Sequence, residues 1–212
     1  MRKRGLIIII FLLTCVATQA KTKKFGTWIE FEFSKELFKK FELSFIPEVR
    51  LQDDFTVDEY LFDSKLSYEP MKYLTLATTY RINTNVRNKG NETTKRFVFD
   101  ATGKKGFGRF DASLRARLTN YTDLEDGEEK ANHFRPRLKL TYDIKGNKIR
   151  PFASYELFHN LSDKELTKTR FDLGFTRKIG ELHRIGLYYR LHNYTSDKNS
   201  INILGIDYRL KF

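Results

Sequence analysis

Ser154, Glu156 and His159 stand within six residues of one another. A serine, a histidine and an orienting acid are the parts of an acyl-transfer site if they come within hydrogen-bond reach. In an extended strand, however, side chains alternate. Ser154 and Glu156 share a face, and His159 falls on the other. No Gly-x-Ser-x-Gly elbow accompanies them. The remaining histidines, His133, His183 and His192, are not at ligand spacing, and Cys15 is the only cysteine. Asp123, Glu125, Asp126, Glu128 and Glu129 supply hard oxygen ligands, but a run of this kind is expected to be a solvated loop tip. Gly106-Phe107-Gly108 has no helix pattern after it, so a phosphate cradle is not expected. These residues predict no catalytic side chain, no metal site and no cofactor.

The arginines are more telling. The chain has 39 Lys and Arg against 27 Asp and Glu, a net charge of +12 over 212 residues. Such a balance can mean nucleic acid. Here the cations are instead spaced every second residue within strand-like segments. In 108–120, Arg109, Asp111, Arg115 and Arg117 oppose Phe110, Leu114 and Leu118. In 134–143, Arg135, Arg137 and Lys139 oppose Phe134, Leu138 and Leu140. Arg184 and Arg190 oppose Ile185, Leu187 and Tyr189. The closing strand sets Asp207, Arg209 and Lys211 against Ile206, Tyr208, Leu210 and Phe212. One face is apolar and the other charged along almost the whole chain.

Eleven alternating segments can be counted: 25–34, 40–51, 58–68, 73–82, 95–102, 107–120, 133–143, 148–158, 168–178, 183–193 and 201–212. Most approach the roughly 9–11 residues with which a tilted strand crosses a bilayer. The least clean is 148–158, where Phe152 and Phe158 share a face with Arg150 and Glu156. Glu69-Pro70-Met71, Gly103-Lys104-Lys105-Gly106, Lys145-Gly146-Asn147 and Gly180-Glu181 read as tight turns. They alternate with longer polar links at 83–94, 121–132, 159–167 and 194–200. Short periplasmic turns and longer outer loops produce that rhythm.

The beginning of the chain fits an exported protein. Arg2, Lys3 and Arg4 precede the apolar run Leu6 to Ala17, and Thr18-Gln19-Ala20 offers small residues before a cut. A cleavable signal peptide over 1–20 is expected, ahead of one barrel domain over 21–212. The apolar run is short for a membrane anchor, and Cys15 lacks the small residues that precede a lipidated cysteine. Removing residues 1–20 takes the net charge to +9 and removes Cys15. Beyond that segment, no apolar run has the length of a spanning helix.

These features predict an all-β fold: a transmembrane, antiparallel, up-and-down barrel of 10–12 strands. Arginines at mid-depth would cost about 2–4 kcal/mol each against lipid, so the charged face must be the lumen. Candidate lumen residues are Arg109, Asp111, Arg115, Arg117, Arg135, Arg137, Lys139, Glu156, Arg170, Asp172, Arg184, Arg190, Asp207 and Arg209. Even strand numbers are the rule for single-chain bacterial barrels. Eleven segments therefore imply that 25–34 is incomplete, giving ten, or that a strand is hidden, giving twelve. The charged lumen reads either as a paired interior that holds a narrow barrel together or as an anion-selective passage.

The chain also resembles a family at the level of pattern. Trp28 comes early, and a Phe-Glu-Leu-Ser strand ends in Glu48-Val49-Arg50. Arg115-Ala116-Arg117-Leu118, Phe134-Arg135-Pro136-Arg137-Leu138 and Pro151-Phe152-Ala153-Ser154-Tyr155-Glu156-Leu157-Phe158 follow. In these it is similar to the outer-membrane β-barrel family catalogued as domain of unknown function 2490. That resemblance implies a small barrel in the outer membrane of Gram-negative bacteria, with no established activity and no functional residues to carry over. The terminal Gly205, Tyr208, Leu210 and Phe212 resemble the signal read by the barrel-insertion machinery, although Ile203 stands where a polar residue is usual.

The expected partners are outer-membrane lipid and that machinery, with no nucleic acid. The expected role is structural or small-solute passage, without enzymatic activity. Two alternatives stay open. One is a lipid-modifying enzyme using His159 or His192. The other is a soluble periplasmic barrel that turns its apolar faces inward onto an apolar ligand.

Overall fold

A computed structural model describes residues 23–88, 90–123, 132–195 and 200–212; the side chains of residues 23 and 121–123 are not among those described. The expected signal segment, Cys15 and most of the acidic run lie outside the described residues. What is described is strand and turn, with no helix.

The strands are β1 (Lys23–Phe38), β2 (Phe41–Leu51), β3 (Val57–Met71), β4 (Leu74–Asn85), β5 (Glu92–Phe107), β6 (Phe110–Asp123), β7 (His133–Phe134), β8 (Arg137–Tyr142), β9 (Ile149–Asn160), β10 (Glu165–Ile179), β11 (His183–Tyr194) and β12 (Ser200–Lys211). Each pairs antiparallel with the next, except where β7 and β8 share a place. Both of those lie between β6 and β9. They are two halves of one stave, parted at Arg135-Pro136. Proline has no N–H to give to a ladder. The ladder nevertheless continues past it, because Arg117 and Arg135 exchange both backbone bonds and Leu157 donates to the Pro136 carbonyl.

The ring therefore has eleven staves, and β1 closes it by pairing with β12 in parallel, Lys23 opposite Ser200 through Ser34 opposite Lys211. This corrects the parity expectation. Residues 25–34 belong to a full strand of 16 residues, and the described residues hold no twelfth stave. An odd number is accommodated by one parallel seam. Full closure leaves no unpaired edge.

The turns sit at one end of the barrel: Lys39-Lys40, Lys72-Tyr73, Gly108-Arg109, Lys145-Gly146 and Gly180–Leu182. The remaining connections sit at the other; the long link expected at 159–167 shrinks to 161–164, because β9 runs to Asn160 and β10 starts at Glu165. Two expected turns move. Gly103 to Gly106 is strand, with Gly103 opposite Leu114 and Gly106 opposite Asp111. The reversal comes at Gly108, whose φ of 62° suits glycine. Glu69-Pro70 is an irregularity within β3, next to the reversal at Lys72-Tyr73. Several strands run 15 or 16 residues, longer than a bilayer crossing needs.

The burial pattern is inverted relative to a water-soluble domain. Among the described residues, the buried apolar side chains are Leu61, Val98, Phe152, Phe158 and Ile203. Buried polar ones include Ser34, Ser44, Glu48, Asp63, Arg115, Arg135, Glu156, Asp172 and His192. On the outside stand large apolar residues such as Phe45, Phe62, Phe99, Leu114, Leu118, Leu138, Leu187 and Ile206, each 36–59% exposed. Along β6 the alternation is explicit: Leu114 and Leu118 point out, while Arg115 is buried.

Candidate functional site: a charged barrel interior

Glu156, fully buried on β9, is the hub of the interior. Arg115 on β6 donates to its Oε1 at 2.6 Å, and Arg135 reaches the same oxygen at 3.1 Å. Arg170 on β10 donates to Oε2 at 3.3 Å. Around this hub lie two-pronged pairs between neighbouring staves. Arg81 holds Asp63 at 2.6 and 2.5 Å. Arg117 holds Asp100 at 2.7 Å through both nitrogens. Arg190 holds Asp172 at 2.7 and 3.1 Å, and Ser154 donates a third bond to that carboxylate. Arg50 bridges Glu48 and Glu59 at 2.7 and 2.5 Å. Planar guanidinium groups suit such forks.

Aromatic rings inside the barrel face some of the same cations, and two lysines besides. Trp28 has the guanidinium of Arg50 at 3.7 Å and that of Arg190 at 4.8 Å. Phe158 has Arg135 at 4.1 Å and Lys168 at 4.3 Å, and Phe152 has Lys139 at 3.8 Å. A ring face attracts a cation with little desolvation of its own. This explains why 148–158 read poorly: Phe152 and Phe158 belong on the charged face.

Two chambers of the interior meet at mid-barrel. The one nearer the loop end has a volume of about 460 Å³, and the one nearer the turn end about 410 Å³. Glu30, Glu32, Arg137 and Arg190 line both and so mark the passage between them. The walls differ in sign. At the seam, Glu48, Glu30 and Asp207 stand side by side on β2, β1 and β12. Halfway round the ring, Arg115 opposes Arg137 and Arg117 opposes Arg135 across β6 and the split stave.

Most of the residues expected in the lumen line these chambers or the hub. Arg109 does not: it stands exposed in the Gly108-Arg109 turn, because the strand ends there rather than at Gly106. Asp111 is at the turn-end mouth, 3.8 Å from Arg150. Arg184 and Arg209 approach Glu32 at 3.9 and 3.6 Å. Asp207 packs against Gly186, where a Cβ would meet its carboxylate at 2.2 Å. Arg50, Arg81 and Lys168 join the expected lumen residues, each from the charged face of its segment, and Trp28 lines the same chamber.

The serine, acid and histidine near residue 156 do not meet. Ser154 and Glu156 are buried inside, and His159 lies between two buried residues on the opposite face. His192 is inside, where Arg170 donates to its Nε2 at 2.8 Å and Trp28 meets its ring edge-on at 5.5 Å. Among the described residues, no three His, Cys, Asp or Glu side chains gather as a metal set. At the carboxyl end, Tyr208 lies outside beside Phe31 and within 2.7 Å of His183. The Phe212 N–H donates to the Ser34 carbonyl at 2.9 Å. Gly205 lies under the Tyr188 ring, which leaves no room for a Cβ. That glycine is needed for packing, whatever else reads it.

A closed ring with polar groups inside and apolar groups outside defines the chain as an inverted β-barrel. It belongs to the family described as protein of unknown function (DUF2490), whose model matches residues 25–202. No curated protein matches the chain.

Proposed function

We propose that this protein is a non-enzymatic outer-membrane β-barrel whose role is structural, with a narrow charged lumen that passes only small solutes. The single observation that carries this reading is the inversion of the faces. A water-soluble barrel has no use for Phe45, Phe62, Phe99, Leu114 and Leu138 on its exterior while Glu156 and Arg115 are buried. In lipid, that arrangement is the favourable one, and a closed ring satisfies every stave's backbone. The same inversion argues against the soluble barrel that would bind an apolar ligand inside. The paired interior supports a structural role: Asp63, Asp100, Glu156 and Asp172 each tie their own stave to arginines on neighbouring ones. With tight turns facing the periplasm, Phe212 lies at the periplasmic end and β1 starts at the outer end.

Membrane fractionation combined with gel mobility before and after boiling tests this directly. The protein is expected in the outer-membrane fraction, running faster unboiled than boiled. Recovery in the soluble periplasm with no mobility shift would overturn the reading. In planar bilayers the narrow lumen is expected to give small conductance steps.

A further inference from the structure

Arg115, Arg117, Arg135 and Arg137 form a square on the inner wall. Each pair of like charges sits directly opposite across a ladder, an arrangement that destabilises a sheet unless something neutralises it. Two carboxylates serve the square. Asp100 is taken by Arg117, and Glu156 is shared by Arg115, Arg135 and also Arg170. Five arginines thus share two acids. Arg137 is the register partner of Glu156, yet its side chain makes no hydrogen bond or ion pair among the described residues, and its Nε is buried without an acceptor. The Nε of Arg115 is in the same position. All four side chains of the square line the loop-end chamber. Lys168, beside it, lies over the rings of Phe158 and Tyr194.

We propose that the loop-end chamber binds a small tetrahedral oxyanion carrying two charges, such as a phosphate group, held by Arg137 and the neighbouring arginines of the square. Buried guanidinium groups bind phosphate in two-pronged fashion and have a large desolvation cost to recover. A chamber of about 460 Å³ has ample room for such an ion. Access from solution rests on the lumen reading given above. The oxyanion comes from a soluble solute, because the square faces the lumen and not the outer wall.

Calorimetric titration of the detergent-folded, full-length barrel with inorganic phosphate tests the site, with chloride at equal ionic strength as the control. Saturable binding is expected, together with a rise in the unfolding temperature that phosphate produces and chloride does not. Arg137→Gln is expected to weaken phosphate binding at least tenfold and to raise the stability of the phosphate-free barrel by removing one of the like charges of the square. Arg137→Lys keeps the charge but loses the fork, so it should also weaken binding. Arg109→Gln, in the exposed turn, should leave binding unchanged.

A folded wild-type barrel that binds no phosphate would overturn the assignment. Unchanged affinity in either folded Arg137 variant would do the same. A short-chain phosphatidic acid titrated in parallel separates the sources; binding of that lipid alone would contradict a soluble solute. A chain found in the soluble fraction that still binds phosphate would sink the membrane reading and support this site. A membrane-embedded barrel that binds none would do the reverse.

Discussion

Leu114→Arg is expected to destabilise the barrel by about 2–4 kcal/mol in a lipid bilayer, the cost of placing a guanidinium against hydrocarbon near mid-depth. Leu114 is 59% exposed on the outer face of β6. Its ladder neighbours run through Leu138, Tyr155 and Phe171, near the middle of β9 and β10. The prediction turns on what surrounds that face. If water did, an exposed leucine could become arginine within about 0.5 kcal/mol. Phe55→Arg serves as the comparison, because Phe55 is 71% exposed in the connection between β2 and β3, beyond the ends of both strands. It should be nearly neutral. Denaturant unfolding in lipid vesicles reads both variants, and equal midpoints for the two would contradict the lipid-facing assignment.

Glu156→Gln is the largest effect expected from the interior. The glutamate has no exposure, and three guanidinium groups lie within 3.3 Å of its oxygens. Removing one partner of a buried ionic group leaves charge without compensation, at a cost of about 3–5 kcal/mol. The loss is expected to be strongly non-additive with a second change. Arg135→Met in the same chain removes one stranded cation while keeping an apolar contact for Phe158, so the double variant should recover part of the stability. Coupling of this kind is the signature of groups in one network. Losses that simply add would show that Glu156 does not act as the hub.

Much of the fold was legible because strand alternation has a period of two, and a charged face can only point one way in lipid. Leu114 and Arg115, or Leu187 and Arg190, are sorted by that rule alone. The eleven segments match the eleven staves, yet the even-number rule made eleven look like a miscount. A parallel seam between β1 and β12 depends on which strands meet at closure, and no local pattern reports it. Gly103-Lys104-Lys105-Gly106 misled for a local reason: it has turn composition, but Gly108 two residues on is better placed to reverse the chain. The Arg115, Arg117, Arg135 and Arg137 excess was visible on 107–120 and 133–143. Its pairing was not, because Glu156 gathers arginines from three other staves, and that register belongs to the closed ring. Phe152 and Phe158 looked like defects in a strand until the cations above their rings were placed.

The membrane-facing exterior is the claim on which the rest depends, and β6 offers the cleanest test of it. Cys15 is the one native cysteine, so in a chain with that residue replaced, single substitutions at Leu114, Arg115, Arg117 and Leu118 can each carry a fluorescent label. Reconstituted in vesicles with brominated acyl chains, labels at Leu114→Cys and Leu118→Cys should be quenched by the lipid. Labels at Arg115→Cys and Arg117→Cys should escape the lipid quencher and remain open to small aqueous ones. Aqueous quenching of the Leu114 and Leu118 labels, with no effect of the brominated lipid, would contradict the account.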